Sequence, residues 1–123
     1  MLIPLAYGLA IVMALSILVI GLRFLVAPRA AAASFGVPAK EEGDAAYLSV
    51  KGLRDASYGI LGLVLLAVGD RHAVGWLLLV VALVPLGDTI VVLRHGGTKT
   101  TAFGIHLVTA ALLVITAALL FAI

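Results

Sequence analysis

Between Asp55 and Asp70 the chain runs through fourteen residues, Ala56–Gly69, without a charge. A helix that crosses about 30 Å of hydrocarbon at 1.5 Å per residue needs about 20 mostly apolar residues. The neighbouring stretches meet that length. Met1–Leu22 carries no charge, Ala73–Leu93 is apolar except for Asp88, and Thr100–Ile123 carries only His106. If the middle stretch also spans, its helix must reach back through Asp55, Arg54 and Lys51 to about Tyr47. Charged residues are then drawn into the bilayer by arithmetic alone.

The alternatives to a membrane chain fall on composition. Hydrophobic residues make up 64% and charged residues 11%, whereas a soluble domain is about 45–50% apolar and about 25% charged. Disorder requires low hydrophobicity and high net charge. The absence of cysteine excludes disulfide scaffolds, thiolate zinc sites, iron–sulfur clusters and cysteine nucleophiles. Eight scattered Lys and Arg, with a net charge of +2, make no nucleic-acid footprint. Four spans, about 3–26, 47–68, 73–93 and 101–123, leave only short connections. They predict one all-α integral membrane domain, a four-helix up-down-up-down bundle. No Lys or Arg precedes Arg23, so the positive start of a signal peptide is missing and the first helix is expected to be retained.

Orientation follows from basic residues. Arg23, Arg29, Lys40, Lys51, Arg54, Arg94 and Lys99 flank the connections after the first and third spans, against Arg71 alone on the other side. A multi-pass protein of the cell membrane is expected, with those two connections cytoplasmic and both termini outside. Trp76 then anchors at the outer headgroups. After the first span, Pro28 opens a short interfacial helix through Ala30–Ala33 that stops across Ser34–Pro38, with Phe35 and Val37 resting on the interface. The Lys40–Asp44 run is expected to be a solvated turn.

Placed by depth, the ionisable groups converge. Asp55 falls about 8 Å and Asp88 about 6 Å inside the cytoplasmic boundary, while His106 and Arg23 reach the same boundary. No matching layer exists in the other leaflet. Lys51 and Arg54 can snorkel to the headgroups, but an aspartate must face the bundle interior, paired or protonated. Lys51 and Asp55 are four apart and suited to pair on one helix face. Tyr47, Lys51, Arg54 and Tyr58 recur at helical spacing, and Gly59 and Gly62 permit a close approach. In the third span Pro85 frees the carbonyl of Val81, so a kink is expected near Asp88, with Thr89 adding a hydroxyl. Structural counterparts exist for each: an ion pair of Asp55 with Arg54 or Lys51, one of Asp88 with Arg23 or Arg94, and a hydrogen-bonded His106. His72 and His95 are expected to be solvent-exposed in turns. No metal-ligand spacing and no phosphate, haem or flavin motif occurs, so no metal or cofactor is expected.

Gly21-Leu22-Arg23-Phe24-Leu25 followed by Pro28, then Phe35-Gly36, Lys51-Gly52-Leu53-Arg54-Asp55, Pro85-Leu86-Gly87-Asp88, Arg94-His95-Gly96-Gly97 and His106 resemble the small membrane-protein family catalogued as domain of unknown function 4267. The resemblance covers roughly Gly21 to His106, its most specific pieces being the Lys-Gly-x-Arg-Asp stretch and the Gly-Asp of the third span. It implies a four-helix integral membrane protein of bacteria and fungi, and supplies no reaction, ligand or catalytic residue.

Three function classes remain. The first is a polar pocket in the cytoplasmic leaflet that binds a small amphipathic molecule and acts as a cofactor-independent acid/base isomerase or cyclase. Asp55, Asp88 and His106 are its acid/base candidates, and Arg23, Tyr47, Lys51, Arg54, Tyr58 and Thr89 its binding candidates. The second is an accessory subunit whose charges only fix helix packing. The third, a small proton-coupled exporter working as a homodimer, is disfavoured by a first span without an acid and a one-sided polar layer.

Overall fold

The computed structural model describes residues 1–40 and 43–123, and every regular element among them is helical. Glu41 and Glu42, read from the sequence as part of a solvated turn, lie outside the described residues. Helix α1 spans Leu2–Val26. It ends because Ala27 precedes Pro28: the proline ring clashes with a helical residue before it, and Ala27 takes φ −135° and ψ 66°. Helix α2, Pro28–Phe35, starts on that proline and stops at Gly36, whose φ of 109° suits a residue without a Cβ. Its N–H closes the last turn on the carbonyls of Ala32 and Ala33.

Helix α3, Ala45–Ala67, carries Lys51, Arg54 and Asp55 in its first half. A turn through Gly69 leads to Asp70, whose Oδ1 accepts the Ala73 N–H at 3.0 Å and caps helix α4, Arg71–Arg94. Helix α4 is interrupted at Ala82, between Arg71–Val81 and Leu83–Arg94. Pro85 explains the break, since it offers no N–H to the carbonyl of Val81. Helix α5, Lys99–Ala122, is capped by Thr98 Oγ1, which accepts the Thr101 N–H at 3.1 Å. It widens into a π-helical turn over Ala102–Leu107 before resuming as α-helix.

By length and composition, α1, α4 and α5 are apolar enough to cross a membrane. This is compatible with a membrane protein. The charges of α3 keep it out of that set. Helix α1 packs along α3, α4 packs along α5, and α1 also meets α5. The α1–α3 seam is backbone against backbone. A Cβ at Gly21 would stand 2.2 Å from the Ala56 nitrogen, and one at Gly59 would stand 2.6 Å from that of Leu18. Small residues let two apolar helices approach where no hydrophobic drive separates them from lipid. The main core gathers Ala6, Ala10 and Met13 of α1 with Val74, Leu78 and Val81 of α4 and Leu113, Ala117 and Leu120 of α5. It fills the half of the molecule nearest the termini. Toward the other end only Phe24, Ala31 and Ala32 form a small second cluster.

Candidate functional site

The thin second core leaves room for polar groups, and three helices deliver them. On α3, one helical turn brings Lys51 Nζ to Asp55 Oδ2 at 2.7 Å. Asp55 is buried, at 8% exposure. The ammonium also lies 4.7 Å from the Phe24 ring centroid and 5.3 Å from that of Phe35. Both are within the range at which a ring quadrupole attracts a cation. Lys51 is therefore held by one carboxylate and two aromatic faces.

On α5 the π-helical turn contains His106, which is 7% exposed. Its Nε2 donates to the Phe35 carbonyl at 2.7 Å. A carbonyl only accepts, so Nε2 carries the proton in this bond and Nδ1 is left outside it. Nδ1 lies 3.9 Å from Asp88 Oδ2 of α4. The break at Ala82 and the π turn thus lie on the two helices that bring this acid and this imidazole opposite each other. Thr89 is occupied by structure: its hydroxyl donates to the Pro85 carbonyl at 2.8 Å and reaches the Ala102 carbonyl of α5 at 3.5 Å.

Three cavities meet at Phe35. One of about 100 Å³ joins Lys51, Asp55, Tyr58, Asp88, His106 and Thr109 to apolar walls from Ile17, Ile20, Val84 and Leu113. A second, of about 320 Å³, is bounded by Phe24, Phe35, Tyr47, Asp44, Lys51 and Asp88. A third, of about 250 Å³, lies beside Arg23, Ser34, Phe24, Phe35 and His106. The second falls within the size range of small-molecule sites.

Of the residues singled out from sequence, Lys51, Asp55, Tyr58, Asp88 and His106 share one cavity wall. Tyr47 stands at the mouth of the second cavity and is 78% exposed. Arg23 lines the third and donates to Ser34 Oγ at 2.9 Å. Arg54 is exposed and lines none of the three cavities. Asp55 pairs with Lys51 rather than Arg54, and among the described residues it is His106, not Arg23 or Arg94, that comes within ion-pair distance of Asp88, at 3.9 Å. His95 is exposed, with Nδ1 donating to the Val91 carbonyl at 2.8 Å, and exposed His72 lies 6.2 Å from the Phe121 ring.

Phe35 and Phe24 were missed as site residues by the sequence reading. The Phe35 ring, expected to rest on the interface, stacks at 4.4 Å on His106 and lies edge-on to Phe24 at 6.4 Å. The available signal was Phe35-Gly36, a helix stop that places an aromatic in the final turn. Sequence does not tell whether an eight-residue helix lies flat or folds back onto its neighbours.

The family model described as a domain of unknown function, DUF4267, matches residues 14–120. No curated protein and no solved structure matches the chain.

Proposed function

The chain belongs to the DUF4267 family, and from its residues we propose that it is a four-helix, multi-pass membrane protein binding a small amphipathic molecule at the Asp88–His106 pair. The pocket lies in the cytoplasmic leaflet, with α3 as the fourth span and both termini outside, as the distribution of basic residues supports. Its activity is cofactor-independent acid/base chemistry of the isomerase or cyclase type.

The observation that carries this reading is the facing of Asp88 Oδ2 and His106 Nδ1 at 3.9 Å across a cavity wall. Because Nε2 is committed to the Phe35 carbonyl, Nδ1 is the ring nitrogen left to face the carboxylate. Such a pair can take a proton from one atom of a bound molecule and return it to another. Lys51, fixed by Asp55 and the two phenyl rings, supplies a positive charge where an oxyanion develops. The apolar walls take the rest of the molecule.

The accessory reading predicts that charges join one helix to another. The Lys51–Asp55 pair lies within a single helix, and what ties its ammonium to α1 and α2 is two phenyl rings rather than an opposite charge. The Asp88–His106 pair joins α4 to α5 and the His106–Phe35 bond joins α5 to α2, and these are the observations that favour the accessory reading.

Native mass spectrometry of the gently extracted protein tests the pocket. The expected result is a co-extracted species of small-molecule mass on the wild type, reduced in Asp88→Asn, with the thermal midpoint in detergent unchanged. A ligand-free wild type, or an Asp88→Asn protein that loses its fold along with its ligand, removes the pocket and leaves the accessory role.

A further inference from the structure

Phe35 separates two cavities of opposite electrostatic character. On one side, Asp44 and Asp88 line the cavity together with Lys51, whose ammonium Asp55 already holds. An anion gains little there. On the other side, the cavity of about 250 Å³ has no Asp or Glu in its lining among the described residues, and Arg23 lines it. Among the described residues Arg23 forms no ion pair; its Nη2 donates to Ser34 Oγ at 2.9 Å. One contact leaves the rest of the guanidinium fork with unused N–H donors. It also leaves the Ser34 hydroxyl, which accepts from Arg23, its own proton to donate. Guanidinium and hydroxyl converge as they do on carboxylates and phosphates. Beyond them the walls are Ile20, Phe24 and Ile105, with His106 among the lining residues.

We propose that this cavity is a headgroup site for an acidic amphiphile, a carboxylate or phosphate on an apolar tail, held by Arg23 and Ser34. The assignment rests on the reading that the cavities around Phe35 take amphipathic molecules, and it names the class. The tail lies along Ile20, Phe24 and Ile105, which brings the atoms next to the headgroup toward His106.

Native mass spectrometry of the detergent-purified full chain, titrated with oleate, oleyl phosphate, oleyl alcohol, oleylamine and inorganic phosphate, tests this. Oleate and oleyl phosphate are expected to bind roughly tenfold more tightly than the alcohol, as a charge-assisted contact predicts. Arg23→Gln is expected to erase that advantage while leaving the alcohol unchanged, and Arg23→Lys to restore part of it. Arg23 is exposed, so both variants are expected to fold. Ile20→Trp narrows the cavity from a position 45% exposed and is expected to weaken every chain-bearing ligand. Oleate binding undiminished by Ile20→Trp puts the anion on the outer surface and overturns the cavity. Equal binding of oleylamine, or an oleate preference retained by Arg23→Gln, overturns the headgroup assignment alone. Inorganic phosphate binding as well as oleate overturns the amphiphile and leaves a simple anion site. If no chain-bearing ligand binds, both this assignment and the pocket reading beneath it fall.

Discussion

The two halves of this molecule are built on different principles. The half nearest the termini is held by side chains: Leu78, Leu113 and Leu120 are each at most 2% exposed and pack among alanines of α1 and α5. The half that contains α2 is held by backbone. There α1 and α3 touch through Gly21 and Gly52, and the space between α3, α4 and α5 holds charges and cavities instead of a continuous core. A close glycine seam joins two helices without filling the volume around them with side chains. That is the condition for leaving polar groups and space inside a small helical protein.

Substitutions in the two halves break or sharpen this contrast. The largest expected effect is from Gly21→Val, because even a Cβ there meets the backbone of Ala56 and Gly52. We expect α1 and α3 to separate and no monodisperse protein to survive size-exclusion chromatography. A well-behaved variant would mean that side chains, not the seam, join these helices. Leu78→Ala in the other half is expected to cost about 2–5 kcal/mol. It should lower the thermal midpoint in detergent while leaving any co-purified molecule bound at the temperature of measurement; loss of ligand with retained stability would contradict the division.

Asp55→Asn removes the carboxylate from a partly buried ammonium and is expected to cost about 1–3 kcal/mol. Replacing both partners, Lys51→Met with Asp55→Leu, should recover most of that stability and still abolish ligand binding. If the double variant is as unstable as the single one, the pair serves packing. The smallest effect is expected from Arg54→Gln, exposed and outside the cavities. Its stability should stay within about 0.5 kcal/mol, with binding unchanged in a titration. A clear loss of binding there would return Arg54 to the site.

Sequence and structure met unevenly across the site. The helical character of the chain was legible because apolar run length is a local quantity, and so was the Lys51–Asp55 pair, since four residues make one helical turn. Pro85 signalled an interruption of α4, but it was expected near Asp88 and falls at Ala82, beside the Val81 carbonyl that the proline leaves without a donor. The partner of Asp88 was not legible: charge and depth pointed to Arg23 or Arg94, and finding His106 opposite it instead needs the rotation of the helices about their axes. The place of Arg54 was missed by a related error, because residues 51, 54, 55 and 58 share a broad helical face and only packing says which edge of it is covered.

Two residues mark the boundary between local and tertiary information. Gly36 carries its instruction in its own chemistry, since the turn that ends α2 needs a φ of 109° and glycine reaches it without steric cost. Phe35, its neighbour, carries none. Whether that ring met lipid, water or His106 depended on α2 folding back against α1 and α5, contacts between residues as far apart as 71 positions. Run lengths, prolines and glycines settle which segments are helices and where they stop, because those choices are made within a turn or two of backbone. Which charge faces which, and where space is left, is decided by packing across the whole chain, and no short stretch of residues contains it.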